Sequence, residues 1–146
     1  MDIEQSYESV EISNQGGYQS PQLHLDDMPF CGYLFDQLDF FPKFLYDTYW
    51  VNINRKGNYN VTHTHPGSDF AVVWNITDNG NKLVIQNPLN HTRYNWRAMR
   101  DPDERELDLK AGHITIFPSD VSHYVEPHDL DTPRISVAFN LVLLSD

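Results

Sequence analysis

Cysteine is almost missing from this chain, since Cys31 is the single cysteine among 146 residues. An internal disulfide and a metal cluster held by several thiolates are therefore excluded. Long apolar runs are missing as well, and no stretch approaches the roughly 18 residues that a membrane-spanning helix requires. We therefore expect neither a disulfide-stabilised domain nor a membrane protein, and we assign Cys31 to packing rather than to chemistry.

Basic residues are also scarce, with 10 Lys and Arg against 21 Asp and Glu and a formal net charge of −11. A surface with this balance repels a phosphate backbone, so we expect no nucleic-acid partner. The opening residues MDIEQSYESVEIS are acidic and polar, unlike the cationic and then apolar start of a signal peptide. We expect a cytoplasmic protein whose substrate is a small molecule or a protein side chain.

Turn-forming residues divide the chain into a polar N-terminal segment, residues 1–28, and one domain over residues 29–146. The first segment contains the turn signals NQGG and QSPQ, and we expect it to precede the domain or to pack on it. Residues 30–47 form the densest apolar block, which Pro42 interrupts. We interpret this block as a short helical or irregular segment packed on a sheet.

After residue 47 the pattern is that of short β-strands. Stretches rich in β-branched and aromatic residues alternate with turn residues: TYWVNIN, FAVVWNI, NKLVIQN, HTRYNW, ELDL, HITIFP, SHYVE and RISVAFNLVLL. Many short strands with regular turns predict an all-β sandwich or a closed barrel.

The last of these strands has two different faces. One face is apolar: Ile135, Val137, Phe139 and Leu141. The other face is small or polar with a cation at its start: Arg134, Ser136, Ala138 and Asn140. A strand in a barrel wall around a wet or ligand-filled interior has this pattern, and a sheet with one solvated face fits it equally well.

Three histidines occur in matching contexts near strand ends. His63 and His65 stand one residue apart in NVTHTHPGSDF, and side chains two apart on a strand point to the same face. His123 follows a strand and a Phe-Pro-Ser turn in GHITIFPSDVSHYV. Because a barrel brings distant strand ends together, these imidazoles can meet at one metal ion.

Arg134 lies eleven residues after His123 and begins the polar face of the last strand. An arginine in a water-poor interior needs an anionic partner, and its planar fork suits a carboxylate bound through both oxygens. A metal next to an arginine therefore predicts a ligand with two acidic ends.

The combined motifs closely resemble those of the 2-oxoglutarate and iron(II)-dependent oxygenases of bacteria and phages. The resemblance covers roughly residues 49–142, in WVNINRKGNYNVTHTHPGS, GHITIFPSDVSHYVEP and RISVAFN. The family pattern is Trp-x-Asn, Gly-x-x-Asn, His-x-His-Pro, Phe-Pro-Ser, His and Arg-x-Ser with a terminal Phe-Asn. It implies a double-stranded β-helix, which is a cupin-like jelly-roll barrel with iron(II) at its mouth.

By this resemblance, His63, His65 and His123 would ligate iron(II) and, with Arg134, form the catalytic site. The implied reaction consumes O2 and 2-oxoglutarate, hydroxylates a C–H bond of an unidentified substrate, and releases succinate and CO2.

The cosubstrate contacts also follow from the resemblance. Arg134 would pair with the distal carboxylate of 2-oxoglutarate, and Ser136 would hydrogen-bond the same carboxylate. Asn52 and Asn54, on the strand that leads to the ligands, are weaker candidates for contact with the cosubstrate.

One departure concerns the second ligand, because most oxygenases of the wider superfamily have His-x-Asp where this chain has His63-x-His65. Three neutral imidazoles permit iron(II) but also suit zinc, nickel and copper. Asp69 is an alternative ligand or an acceptor for an imidazole N–H, and Asp120 has a similar claim. For both aspartates we favour a role in a turn or cap.

Two alternatives remain open at the level of sequence. A cupin-type metalloprotein acting on a small molecule without 2-oxoglutarate fits Gly57 followed by the His-x-His pair, with Asp69 in place of a glutamate. A non-catalytic jelly-roll binding module would make the histidines structural. The Arg134-x-Ser136 pair favours the oxygenase, which needs it. Jelly-roll barrels of this size often form homodimers, so the oligomeric state is also open.

Overall fold

A computed structural model describes residues 3–28, 31–38, 44–45, 48–78, 82–88 and 103–144. The predicted strand HTRYNW lies outside the described residues, and so does Pro42. The helices are α1 (Ile3–Ser6) and α2 (Cys31–Asp36), with a 3-10 turn at Leu25–Asp27. The strands are β1 (Asn14–Gln15), β2 (Tyr18–Gln19), β3 (Leu23–His24), β4 (Phe44–Leu45), β5 (Thr48–Asn54), β6 (Tyr59–His63), β7 (Phe70–Asn75), β8 (Lys82–Gln86), β9 (Glu104–Asp108), β10 (Ile114–Pro118), β11 (His123–Val125) and β12 (Arg134–Leu143).

The strands pair antiparallel in a larger sheet, ordered β10-β7-β12-β5-β2, and a smaller sheet, ordered β1-β6-β11-β8-β9. From β5 onward the chain crosses repeatedly between the two sheets, with β5, β7, β10 and β12 in the larger one. This alternation is that of a double-stranded β-helix, which confirms the predicted all-β, jelly-roll fold class. Among the described residues, no helix is long and apolar enough to cross a membrane.

The polar N-terminal segment contributes edge strands to both sheets. β1 pairs with β6 of the smaller sheet, whereas β2 and β3 pair with β5 of the larger sheet. The sequence pattern did not predict these strands, because runs of two residues carry no periodicity. Residues 13–20 therefore lie beside the interior of the barrel.

The larger sheet is covered on both faces. Its outer face packs against the N-terminal segment and α2, where Leu25, Leu34 and Phe139 are almost completely buried. Its inner face packs against the smaller sheet through residues that include Val73 and Phe117. The polar face of β12 thus borders the barrel interior and not solvent. Of the two interpretations of its pattern, the strand in a barrel wall is therefore correct, and the sheet with one solvated face is not.

Candidate active site

A β-bulge orients the end of β6. His63 pairs with His123, and Asn60 pairs with Val125. Between these two pairs the chain advances by three residues on β6 but by only two on β11. Residues three apart on a regular strand face opposite sides. The extra residue in the bulge therefore lets Asn60 and His63 both line the interior cavity that His123 also lines.

His65 lies beyond β6, which ends at His63, so the two histidines do not share a strand face as the sequence led us to expect. The backbone N–H of His65 donates to the carbonyl of Ser119 at 2.8 Å. A turn follows at once, where Gly67 has a φ of 87°, a conformation that glycine adopts without steric cost. Backbone pairing and this turn thus hold His65 beside the other two imidazoles.

The hydrogen bonds of the rings fix which nitrogens remain free. Each imidazole Nδ1 contacts a carbonyl oxygen: His63 to Val61 O at 2.7 Å, His65 to Asn140 Oδ1 at 2.8 Å and His123 to Val121 O at 2.9 Å. A carbonyl oxygen only accepts, so each Nδ1 carries the proton and donates it. Every Nε2 is left as a bare lone pair, which is the form that binds a metal.

The free nitrogens converge. One ligand-capable nitrogen of each ring lies within 4.8 Å of the other two, and the Nε2 atoms of His65 and His123 are 3.2 Å apart. Two lone pairs at this distance repel each other unless a cation lies between them. Two nitrogens bound at right angles to one ion, each at about 2.1 Å, are about 3 Å apart. The three histidines therefore fit one transition-metal ion.

The imidazoles are also in the protonation state that a metal needs. Burial lowers the pKa of His123 to about 4, and burial is the main reason why the pKa of His63 and of His65 is lowered. All three rings are neutral at neutral pH, so no proton has to leave before an ion binds. Trp50 stacks on His65 at a centroid distance of 5.6 Å, and Phe117 packs edge-on against His123 at 4.6 Å.

Asn140 positions His65 through the Nδ1 hydrogen bond, so Asn140→Ala tests its contribution. We expect metal affinity to fall by about 10- to 100-fold, because an imidazole that loses its outer acceptor loses orientation and basicity. Titration with Zn²⁺ against a competing chelator measures the change. Asn140→Asp retains an acceptor oxygen and should keep most of the affinity, and equal affinity of wild type and Asn140→Ala would contradict this role.

The other residues considered from sequence lie elsewhere. Asp69 is exposed, and its Oδ2 accepts the backbone N–H of Leu143 at 2.7 Å. Asp120 is exposed in the turn before β11. Among the described residues, the only cluster of at least three potential metal-binding side chains is His63, His65 and His123.

Arg134 is the buried cation of the interior. It is 3% exposed, and no described residue forms an ion pair with it. Burial alone lowers its pKa to about 10, so the guanidinium is still charged at neutral pH. A buried charge without a counter-ion is costly, and an anionic ligand would remove that cost.

Arg134 belongs to a set of polar side chains on the inner face of the larger sheet. It pairs with Asn54, and the next inward row crosses four strands as Asn75, Ser136, Asn52 and Gln19. Within the described chain, each of these has a buried polar atom without a hydrogen-bond partner: Gln19 Oε1, Asn52 Oδ1, Asn54 Oδ1, Asn75 Nδ2 and Oδ1, Arg134 Nε and Ser136 Oγ. Buried polar groups are normally satisfied, so this set is built for polar ligands or ordered water.

Two adjoining cavities connect these groups. An inner cavity of about 40 Å³ is bounded by the three histidines, Arg134 and Ser136, together with Asn52. An outer cavity of about 230 Å³ opens beside His63 and His65. Four residues line both cavities: Ser13, Trp50, His63 and His65.

Asn140, Trp50, Asn75 and Gln19 are the site residues to which sequence reasoning gave no role. Trp50 and Asn140 occur in the Trp-x-Asn and terminal Phe-Asn motifs, and Asn140 lies on the polar face of the last strand, so a signal was present for both. Gln19 carried none, because its position depends on a two-residue strand. Trp74, on β7, packs against the outer core.

Comparison with known proteins bears on this arrangement. The model of a family described as "Putative 2OG-Fe(II) oxygenase" matches residues 48–140. No curated protein matches the chain.

Solved structures resemble it at low identity. A prolyl-4-hydroxylase of Pseudomonas putida is 17% identical with a TM-score of 0.68, over 99% of this chain and 80% of that one. An oxidoreductase of the 2OG-Fe(II) oxygenase family from Burkholderia pseudomallei is 11% identical with a TM-score of 0.62, over 90% and 72%. Oxalate decarboxylase of Bacillus subtilis is 14% identical with a TM-score of 0.59, over 97% and 29%. At these identities the likeness concerns the fold.

Proposed function

The chain belongs to the 2OG-Fe(II) oxygenase family, and from this premise we propose that it is an iron(II)- and 2-oxoglutarate-dependent dioxygenase that hydroxylates a C–H bond. One observation carries the proposal. Three bare imidazole nitrogens and a buried guanidinium, which has no counter-ion among the described residues, border the same small cavity. A ligand that chelates a metal at one end and presents a carboxylate at the other satisfies both.

His63, His65 and His123 would hold the metal. Bound iron(II) and 2-oxoglutarate together supply the activation of O2, with succinate and CO2 as products and one oxygen atom transferred to the substrate. The role of the protein residues is to keep three neutral nitrogens on one side of the ion. Carbonyl acceptors on each Nδ1 lock the tautomer, and Trp50 and Phe117 restrict the rings.

Arg134 and Ser136 would bind the distal carboxylate of the cosubstrate. The guanidinium fork can donate to both carboxylate oxygens, and the Ser136 hydroxyl can donate a further hydrogen bond. Asn52 and Asn54 face the same interior and would contact the cosubstrate or water around it. Because the inner cavity is only about 40 Å³, binding a five-carbon dicarboxylate requires its lining side chains to part.

Release of succinate from 2-oxoglutarate tests the proposal directly. We expect the iron-loaded protein to form succinate slowly even without its primary substrate, because the residues proposed to hold iron(II) and 2-oxoglutarate all lie in this chain. Succinate is measured by mass spectrometry, with zinc-loaded protein as the control that binds a metal without redox chemistry. Iron-loaded protein that forms no succinate above this control would contradict the assignment.

A cupin-type metalloprotein that acts on a small molecule without 2-oxoglutarate is the second candidate. Its support is the donor set, since three imidazoles without a carboxylate suit several divalent metals. The fold likeness to oxalate decarboxylase, a protein with Mn(II) centres, is compatible with it. Tight metal binding without any effect of 2-oxoglutarate on stability or turnover would favour this candidate.

A further inference from the structure

The outer cavity opens beside two of the proposed metal ligands, His63 and His65, and is where a primary substrate would lie. Its volume of about 230 Å³ is below the range of roughly 300–1,000 Å³ that drug-sized ligands occupy. In the part of the chain that the structure describes, eleven residues form its walls: Ile12, Ser13, Gln19, Ser20, Gln22, Trp50, His63, Thr64, His65, Pro66 and Asn140. The cavity therefore fits one small molecule or one side chain.

Among the described residues, the walls of this cavity carry no Asp, Glu, Lys or Arg. Charged residues are 21% of the chain, so eleven residues chosen without preference would include about two. A charged substrate would lose its hydration on entering and find no opposite charge there. The lining instead offers hydroxyl and amide groups next to the apolar surfaces of Trp50, Pro66 and Ile12.

Most of the deep polar atoms in this cavity are already occupied. The Ser20 hydroxyl donates to Pro21 O at 2.8 Å and accepts the backbone N–H of Val51 at 3.0 Å. The Ser13 hydroxyl accepts Asn60 Nδ2 at 3.1 Å. Gln19 differs, because it is 96% buried while its Oε1 has no partner among the described residues.

Gln19 also ends the polar row that crosses the larger sheet. Four neighbouring strands at about 4.8 Å spacing extend over about 14 Å, which is longer than a five-carbon dicarboxylate. The cosubstrate would lie near Ser136 and Asn52, which border the inner cavity. Gln19 borders the outer cavity, so its acceptor is left for a different ligand.

We propose that Gln19 determines substrate specificity and that the primary substrate is an uncharged group with an N–H or O–H donor. Gln19 Oε1 accepts that donor, while Trp50 and Pro66 cover the apolar side from which a C–H bond is presented to the metal. This inference rests on the proposed function, and it adds the chemical class of the substrate and a residue that recognises it.

Two series of uncharged probes test this substrate class: N-acetylated amino-acid amides and simple sugars. Each series is compared with its charged counterparts, which are the free amino acids and the sugar phosphates. We expect at least one uncharged probe to raise succinate release by the iron-loaded protein at least about fivefold and to raise the unfolding temperature of the zinc-loaded protein. Gln19→Leu, which keeps the volume and removes the acceptor, should bring that stimulation below about 1.5-fold. Succinate release without a probe is measured for each variant, and the response to a probe is expressed relative to it.

Two variants in the same segment serve as controls. Gln19→Glu keeps an acceptor oxygen and should retain part of the response, and Gln15→Leu, which lies outside the cavity, should respond like wild type. The inference is overturned if only charged probes act, if neither uncharged series acts, or if Gln19→Leu matches wild type. Absence of any succinate release or 2-oxoglutarate binding in wild type would instead overturn the proposed function.

Discussion

His123→Ala is expected to lower the affinity of the protein for a divalent transition metal by at least about 1,000-fold, equivalent to about 4 kcal/mol. The wild-type site offers three lone pairs that are already neutral and oriented, and two of them are only 3.2 Å apart. Removing His123 takes away one metal–nitrogen bond and leaves an ion held by two residues. Succinate release should fall below detection, since the ion that carries the reaction is lost.

The control for this substitution is His113→Ala, because His113 is exposed in the turn before β10. It should bind metal like wild type in a titration with Zn²⁺ or Co²⁺. Unfolding of the metal-free proteins separates loss of the site from loss of the fold, and a folded His123→Ala variant with wild-type affinity would refute the triad.

The sequence pattern was sufficient for the barrel because its long strands alternate with turn residues. β5, β7 and β12 each lie within a predicted stretch, and the apolar face of β12 packs outward as its alternation indicated. Periodicity alone did not decide between a sandwich and a barrel, because it does not give the order in which the strands connect. The family resemblance supplied that order, and the match over residues 48–140 confirms the family. Strands of two residues were missed, since they are formed by tertiary pairing and not by local preference.

The site was only partly predictable for a related reason. Histidine spacing indicated the three imidazoles, but their convergence depends on a bulge in β6 and on the turn after His65, which sequence spacing does not reveal. Asn140 was visible only as a member of a polar strand face. Gln19 was invisible, because its place in the cavity follows from pairing with β5, more than thirty residues later. The positions of Asn140 and Gln19 in the site thus depend on contacts between segments that are distant in sequence.

Arg134→Met should make the metal-free protein more stable while it destroys the proposed cosubstrate site. Burial lowers the pKa of Arg134 from its ordinary value to about 10, a cost of about 3 kcal/mol for the charged form. The unfolded chain holds the proton more tightly, so this cost is complete below pH 10 and is relieved as the pH rises above about 10. A methionine of similar length avoids it and keeps most of the packing.

We expect Arg134→Met to raise the free energy of unfolding at neutral pH by about 2 kcal/mol and the unfolding temperature by about 4–8 °C. The affinity for 2-oxoglutarate should fall at least about 100-fold, because each hydrogen bond between charged groups contributes roughly 1.5–3 kcal/mol. Denaturation with and without 2-oxoglutarate measures both effects, since a ligand of the folded state raises the unfolding temperature.

Arg105→Met is the matched control, because Arg105 is exposed on the edge strand β9 and loses the same charge. Its stability should stay within about 0.5 kcal/mol of wild type, and its response to 2-oxoglutarate should be unchanged. A structural arginine would give the opposite result at position 134, namely a less stable protein whose response to 2-oxoglutarate is retained. A gain of stability together with a loss of the response to 2-oxoglutarate therefore indicates a buried charge whose role is to bind the carboxylate of a ligand.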